Sequence, residues 1–285
     1  MTSSDHQTTL AGTVEIAGIG VHGGRDARLE LRPAAAGSGI VFVQAGGAGR
    51  IAACRETVAS TELSTVLGDP NGFHVATVEH LMSALCGFGV DNVEIAIEGT
   101  EIPILDGSAR QFVEAIRATG RVEQEARRPT IRVLKPVRVE SGTAWAEFVP
   151  HDGRRFDISI EFPSPAIGRQ SITFDLEPET YAREIAPART FGFMKDVERL
   201  WAAGLALGSS LENSVVIGED DGIVNESGLR FADEFVRHKA LDAVGDLAIG
   251  GVAIIGLYRS YKGGHRLNAA ALDALLSDSE AYEPV

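Results

Sequence analysis

The spacing of apolar residues along the chain changes period in a regular order. Alternating, strand-like segments come first, around Thr13 to Ile16, Ala27 to Leu31 and Ile40 to Val43, each broken by glycine or proline. From Val75 to Cys86 the apolar positions recur at helical spacing, Gly87 to Gly89 supplies a stop, and Asn92 to Ile97 alternates again. The same order then repeats. Strands are predicted over Ile131 to Val139, Ala144 to Val149 and Phe156 to Phe162, a helix over Phe231 to Ile249, a stop at Gly250-Gly251 and a strand over Val252 to Tyr258. Between the two series, Glu123 to Thr130 is too polar for a buried strand or an amphipathic helix. The expectation is an α+β protein of two related domains, residues 1–126 and 127–285, alike in the order of their elements rather than in residue identity. A cleft between two such units is the natural place for a site.

Composition narrows the setting. With 285 residues, 44% of them apolar and 23% charged, the chain can bury a substantial core. It has no run near the roughly 20 apolar residues that span a bilayer, and the opening MTSSDHQTTLAG lacks the basic-then-apolar order of a signal peptide, so a cytoplasmic location is expected. Cys54 and Cys86 stand alone, without zinc-ribbon spacing or the density of a disulfide scaffold, and read as small core residues. A net charge of −14 repels phosphate backbones, so nucleic acid is not expected as a partner. That charge does not bar a phosphorylated small molecule, because a few cations such as Lys239 and Lys262 can hold a diphosphate locally.

Three of the seven histidines, His80, His238 and His265, sit where a packed core would not need them. Thr77-Val-Glu79-His80 offers a carboxylate and an imidazole side by side on the first helix. His238 and Asp242 are four residues apart on the second, about 40° apart around the axis, so both can point at one atom. One histidine from each helix plus Asp242 gives two nitrogens and an oxygen, the three-ligand pattern of a catalytic zinc site whose fourth position holds water. Each motif alone also fits a plainer reading, with His238 and Asp242 as a solvated ion pair and His80 as a satisfied core histidine. A structural zinc is the weaker metal reading, since neither cysteine is suitably spaced. In a hydrolytic mechanism Glu79 is the candidate base for the metal's water. His265, in the glycine-rich setting Tyr261-Lys262-Gly263-Gly264, is the candidate acid on a flexible loop. Asp246, one helical turn beyond Asp242, is placed to orient it and hold it protonated.

Five segments together resemble one family: Thr77 to Leu81, Glu101 to Ser108, Ala188 to Phe193, Phe235 to Asp242 and Tyr261 to His265 are similar to the signatures of bacterial UDP-3-O-acyl-N-acetylglucosamine deacetylases. The likeness runs from Gly18-Ile-Gly-Val-His22 to about Leu276. It implies two layered domains, each a β-α-α-β sandwich, with the active site between them. It further implies Zn2+ on His80, His238 and Asp242, with Fe2+ as the alternative metal for such ligands. Glu79 would then be the base and His265 the acid supported by Asp246, with the Thr190 hydroxyl on the oxyanion and Lys239 as a local positive charge. It implies contacts to an acylated UDP-N-acetylglucosamine from Phe162, Phe191, Phe193, Asp196, Lys262, Leu63 and Met194. The stretch from Met194 to Val216, bare an amphipathic helix followed by a strand, resembles the family's greasy passage for the acyl chain. It also implies a step of lipid A biosynthesis in a Gram-negative bacterium. Nothing demands a partner chain, so a monomer is expected. Ser64 departs from the pattern, standing where some relatives carry a cysteine close to the metal, so sensitivity to excess zinc or thiol reagents does not carry over. Two other readings stay open: a zinc amidohydrolase for a different acylated amine, and a sugar-nucleotide binding protein that has kept only the fold.

Overall fold

The structure, a computed structural model, describes residues 5–285. Its architecture is mixed α+β, and its two halves share one topology. In the first half, five strands lie in the order 14–19, 26–33, 93–98, 40–44 and 50–52. Strand 93–98 runs antiparallel to 26–33 and parallel to 40–44, and helix α1 (Glu79–Gly87) lies in the crossover that the parallel pair requires. Helix α2 (Arg110–Thr119) follows the sheet's central strand.

In the second half, strand 253–261 holds the same central position. It is antiparallel to 144–149 and parallel to 154–161, and these pair onward with 137–141 and 169–175. The chain then makes two short excursions. A single turn α3 (Pro178–Thr180) runs into a π-helical turn at Tyr181–Ile185, and helix α4 (Val197–Ala202) follows. Helix α5 (Glu234–Ala248) occupies the crossover, and α6 (His265–Ser277) follows the central strand as α2 does in the first half. Hairpin, parallel pair, crossover helix and following helix thus recur in one order, which makes the two units related in architecture.

Several boundaries differ from the sequence reading. Pro136 cannot donate to a sheet ladder, and the single strand expected over 131–139 is two, 130–133 and 137–141, on opposite sides of the central strand 253–261. The polar run from 123 forms part of strand 121–127, which pairs with the mostly buried strand 6–10 and is itself largely exposed, so its polarity is no obstacle. The segment expected to be one helix after Met194 is a 3-10 turn over 194–196, the short α4 and a chain of turns leading to strand 215–217.

The two units meet through α1 and α5, whose residues are buried almost all round. A Cβ on Gly245 would overlap the Glu79 carbonyl oxygen, so glycine there lets the helices approach until their backbones touch. A Cβ on Gly87 would overlap the Tyr181 ring in the same way. The Tyr181 hydroxyl donates to Ser83 Oγ at 2.7 Å, and Ser83 donates to the Leu241 carbonyl at 2.8 Å, so the seam is tied by hydrogen bonds as well as apolar contact. Leu81, Met82, Leu85, Phe235, Leu241 and Val244 are fully buried and form part of one continuous core. Among the described residues no helix is long and apolar enough to cross a membrane.

Candidate active site

The α1–α5 seam brings three ligand-bearing side chains together. The donor atoms of His80, His238 and Asp242 all lie within 4.8 Å of one another, and all three residues are buried. Asp242 Oδ1 is 3.7 Å from His80 Nε2 and 3.3 Å from His238 Nε2, and the two imidazoles meet edge-on with centroids 5.0 Å apart. His238 sits one turn from Asp242 on α5, whereas His80 stands at the second position of α1, so the cluster exists only because the helices pack. The second ring nitrogen of His238, Nδ1, lies 3.1 Å from the Ala188 carbonyl, which fixes Nε2 as the nitrogen facing Asp242. Ala188 is held in turn because Arg189 is clamped on the buried carboxylate of Glu234, at the start of α5, with Nε to Oε1 at 2.8 Å.

The electrostatics suit a cation. Burial drives His238 down to about 3, against the pull of Asp242, so the ring is neutral and its Nε2 lone pair is available. Burial would raise Asp242, yet the Lys239 ammonium beside it holds it well below the usual carboxylate range, so it is ionised. Lys239 Nζ donates to Asp242 Oδ2 at 2.9 Å. Oδ1 has no hydrogen-bond partner among the described residues. A fully buried, ionised carboxylate oxygen aimed between two imidazole nitrogens is costly without a positive ligand. The donor set of two nitrogens and one oxygen fits a divalent cation such as zinc.

Beside this cluster lies a second one. Glu79 precedes His80 on α1 and is buried, which pushes its carboxyl upward despite the neighbouring His265. Its Oε2 accepts the Thr65 backbone N–H at 3.0 Å, and its Oε1 lies 3.9 Å from His265 Nε2. His265 Nδ1 is 2.9 Å from Asp246 Oδ2. Asp246 also accepts the Thr65 hydroxyl at 2.7 Å and the Asn268 amide at 2.8 Å, so both its oxygens are engaged. Burial would lower His265, but the charges of Asp246 and Glu79 outweigh it and raise the imidazole to about 10. His265 is therefore a largely buried imidazolium facing a buried carboxylate. The flexible loop expected for it is absent. His265 is the first residue of α6, reached through an extended Gly264 after a left-handed turn at Lys262 (φ +54). A cation at a helix N-terminus opposes the helix dipole, which Asp246 and Glu79 offset.

The remaining expected residues are distributed around these two clusters. The Phe191 ring lies 6.3 Å from His238, 5.0 Å from Phe235 and 5.7 Å from Phe162, and Phe162 is 6.1 Å from Phe193. Lys239 Nζ stands 5.8 Å over Phe191. An aromatic wall therefore runs outward from the His238 side. Thr190 precedes it in the chain and is fixed by its backbone, with N–H to the Gly107 carbonyl and its own carbonyl accepting from Val215, both at 2.8 Å. Lys262 Nζ is 3.4 Å from Glu161 Oε1. Asp196 pairs with Arg199 at 3.1 Å, while Met194 and Leu63 are exposed, so none of these three enters the hydrogen-bond network around the triad. The cysteines are half-buried, and Arg154 Nη2 donates to Cys86 Sγ at 3.1 Å.

Sequence reasoning missed Thr65, Asn268 and Gly245. Thr65 and Asn268 lie in stretches with no chemical signature of their own. Gly245 carried a readable signal, a glycine in the interior of a helix, where it costs stability unless something approaches closely.

Comparison with known proteins supplies the context. The profile of the family described as LpxC, UDP-3-O-acyl N-acetylglycosamine deacetylase, matches residues 7–277. Proteins named UDP-3-O-acyl-N-acetylglucosamine deacetylase from Brucella ovis and Brucella abortus strain 2308 are each 53% identical to this chain over 280 residues, covering 98% of both sequences. One of the same name from Brucella melitensis biotype 2 is 52% identical over the same length and coverage.

Proposed function

The chain belongs to the UDP-3-O-acyl N-acetylglycosamine deacetylase family, and from that premise we propose that it is a zinc-dependent hydrolase that removes the N-acetyl group of UDP-3-O-acyl-N-acetylglucosamine, releasing acetate, as a step in making lipid A. The observation that carries the reading is the convergence of His80, His238 and Asp242, with Asp242 Oδ1 ionised, buried and unpartnered among the described residues. These three would hold the cation, zinc being favoured by two imidazoles and a carboxylate and ferrous iron being the alternative. A cation so held supplies Lewis acidity, polarising the acetyl carbonyl and easing the ionisation of water.

The protein's own groups do the rest. Glu79, made more basic by burial, takes a proton from the attacking water as its oxygen bonds to the carbonyl carbon. The Thr190 hydroxyl donates to the developing oxyanion, and Lys239 places positive charge nearby. When the carbon–nitrogen bond breaks, His265 gives its proton to the departing amine, which would otherwise leave as an anion. Asp246 keeps that proton on His265 and aims the ring, and Thr65 and Asn268 fix Asp246. Phe162, Phe191 and Phe193 would lie against the sugar and acyl portions, Lys262 would face the diphosphate, and Asp196, Leu63 and Met194 would line the approach. The apolar stretch 194–216 would take the acyl chain. On this reading residues 1–126 supply the base and one imidazole, residues 127–285 supply the rest, and the protein works as a monomer in the cytoplasm.

The direct test is incubation of the purified, zinc-loaded protein with the acylated UDP-sugar and mass spectrometry of the product. Loss of one acetyl group with release of acetate is expected. An unchanged substrate with an intact, metal-loaded protein would overturn the reading.

A further inference from the structure

Outside the two clusters, the first unit holds a buried carboxylate, Glu101, that is tied to two separate segments. It lies just after strand 93–98, and its neighbours pair with the strand that leads into α1: Ala76 N–H donates to the Thr100 carbonyl at 2.9 Å, and Ile102 N–H to the Ala76 carbonyl at 3.0 Å. Its oxygens accept from two further places. Oε1 takes the His22 backbone N–H at 2.8 Å and the Thr77 hydroxyl at 3.1 Å, and Oε2 takes the Gly23 backbone N–H at 2.8 Å. Thr77 is in the left-handed region at φ +58, two residues before Glu79 and three before His80. A β-branched residue holds that conformation only when its surroundings impose it, and the bond to Glu101 is such a constraint. On the other side, loop 20–24 carries residues 206–208 of the second unit. Leu207 N–H donates to the His22 carbonyl and Gly208 N–H to the Val21 carbonyl, both at 3.0 Å. A Cβ on Gly208 would overlap the Gly20 carbonyl, and a Cβ on Gly20 would overlap the Glu101 carboxylate, although Gly20 itself needs no left-handed φ.

We propose that Glu101 is a positioning residue: one buried carboxylate sets both the strained turn that aims Glu79 and His80 and the loop on which segment 206–208 rests. It touches none of the reacting groups. Its charge matters because all three partners are donors, and a neutral amide in its place would turn an N–H toward at least one of them. The proposal rests on the deacetylase reading for its kinetic consequences, but its structural content does not.

The test uses full-length protein carrying Glu101→Gln, Thr77→Val or Gly20→Ala, compared with the parent by thermal melting, deacetylation kinetics, zinc affinity against a competing chelator, and amide exchange at His22 and Gly23. Glu101→Gln is expected to fold, to lose kcat by about ten- to a hundredfold, as supporting partners of a metal site do, to bind zinc more weakly and to exchange both amides faster. Thr77→Val, which removes only the bond to the turn, is expected to lower kcat with KM and both amides unchanged. Gly20→Ala, which displaces the carboxylate sterically, is expected to match Glu101→Gln, and combining the two is expected to add little. Parental kcat, zinc affinity and amide protection in Glu101→Gln would overturn the proposal, as would a lowered melting temperature with unchanged kinetics below it. If the parent protein does not deacetylate the UDP-sugar, the functional reading fails, and zinc affinity and amide exchange still decide the role of Glu101.

Discussion

The seam between α1 and α5 and the stretch from Met194 to Leu211 are opposites in construction. In the seam Glu79, His80, His238, Asp242 and Asp246 are all buried and are carried on helices whose backbones touch at Gly245. In the other stretch, Met194, Trp201, Leu207 and Leu211 are exposed, and its single helix, α4, has six residues, none of them buried. The contrast separates two demands. Groups that share a cation or a proton must be fixed to fractions of an ångström and belong on rigid elements. A surface that receives a flexible apolar chain gains from area and tolerates looseness.

If that division is right, substitutions should differ in kind as well as in size. The largest effect is expected from His238→Ala, which removes a ligand and leaves Asp242 with one imidazole; zinc content by elemental analysis and deacetylation should both fall to background. Glu79→Gln should keep the metal and lose activity by roughly a hundred- to ten-thousandfold, the usual worth of a positioned acid–base group. Near-parental turnover in that variant would remove Glu79 from the mechanism. Asp246→Asn should cost about ten- to a hundredfold, and it should also move the alkaline limb of the pH–rate profile toward neutrality, because the carboxylate charge is what raises His265 to about 10.

The same imidazole affects stability in the cation-free protein. Its folded pKa lies above the unfolded value of about 6.5, so its contribution is complete below pH ~6.5 and disappears as pH rises through about 10. Melting temperature across that window should decline in the parent and decline less in Asp246→Asn. The smallest effect is expected from Trp201→Ser. An exposed residue away from special contacts alters stability by about 0.5 kcal/mol or less. Lost acyl contact worth about 1 to 2 kcal/mol would raise KM roughly tenfold and leave kcat alone. A large loss of kcat there would show that the exposed stretch shapes the chemistry, and the division between the two regions would fail.

How much of this was legible in the sequence varies with how local the cause is. The pairing of His238 with Asp242 depends only on the pitch of one helix, and the spacing displays it. That His80 joins them follows from the approach of α1 to α5, to which the interior Gly245 was a hint. Thr65 and Asn268 gave no hint, because a threonine or asparagine becomes part of a proton network only through what folds beside it. Strand 121–127 was obscured because a largely exposed strand needs no apolar face. The start of α6 at His265 was obscured because two glycines before it read as a loop, whereas they are the turn that delivers the imidazole to Asp246.

The central claim is that side chains from two helices, over 150 residues apart in the chain, grip one cation. Zinc titration of the metal-stripped protein, with stoichiometry read by elemental analysis after gel filtration, tests it most directly when run on the parent, His80→Ala, His238→Ala and Glu79→Gln. One zinc per chain in the parent and in Glu79→Gln, and none retained by either histidine variant, is the predicted outcome. A parent that retains no zinc, or a His80→Ala protein that binds it as tightly as the parent, would contradict the account.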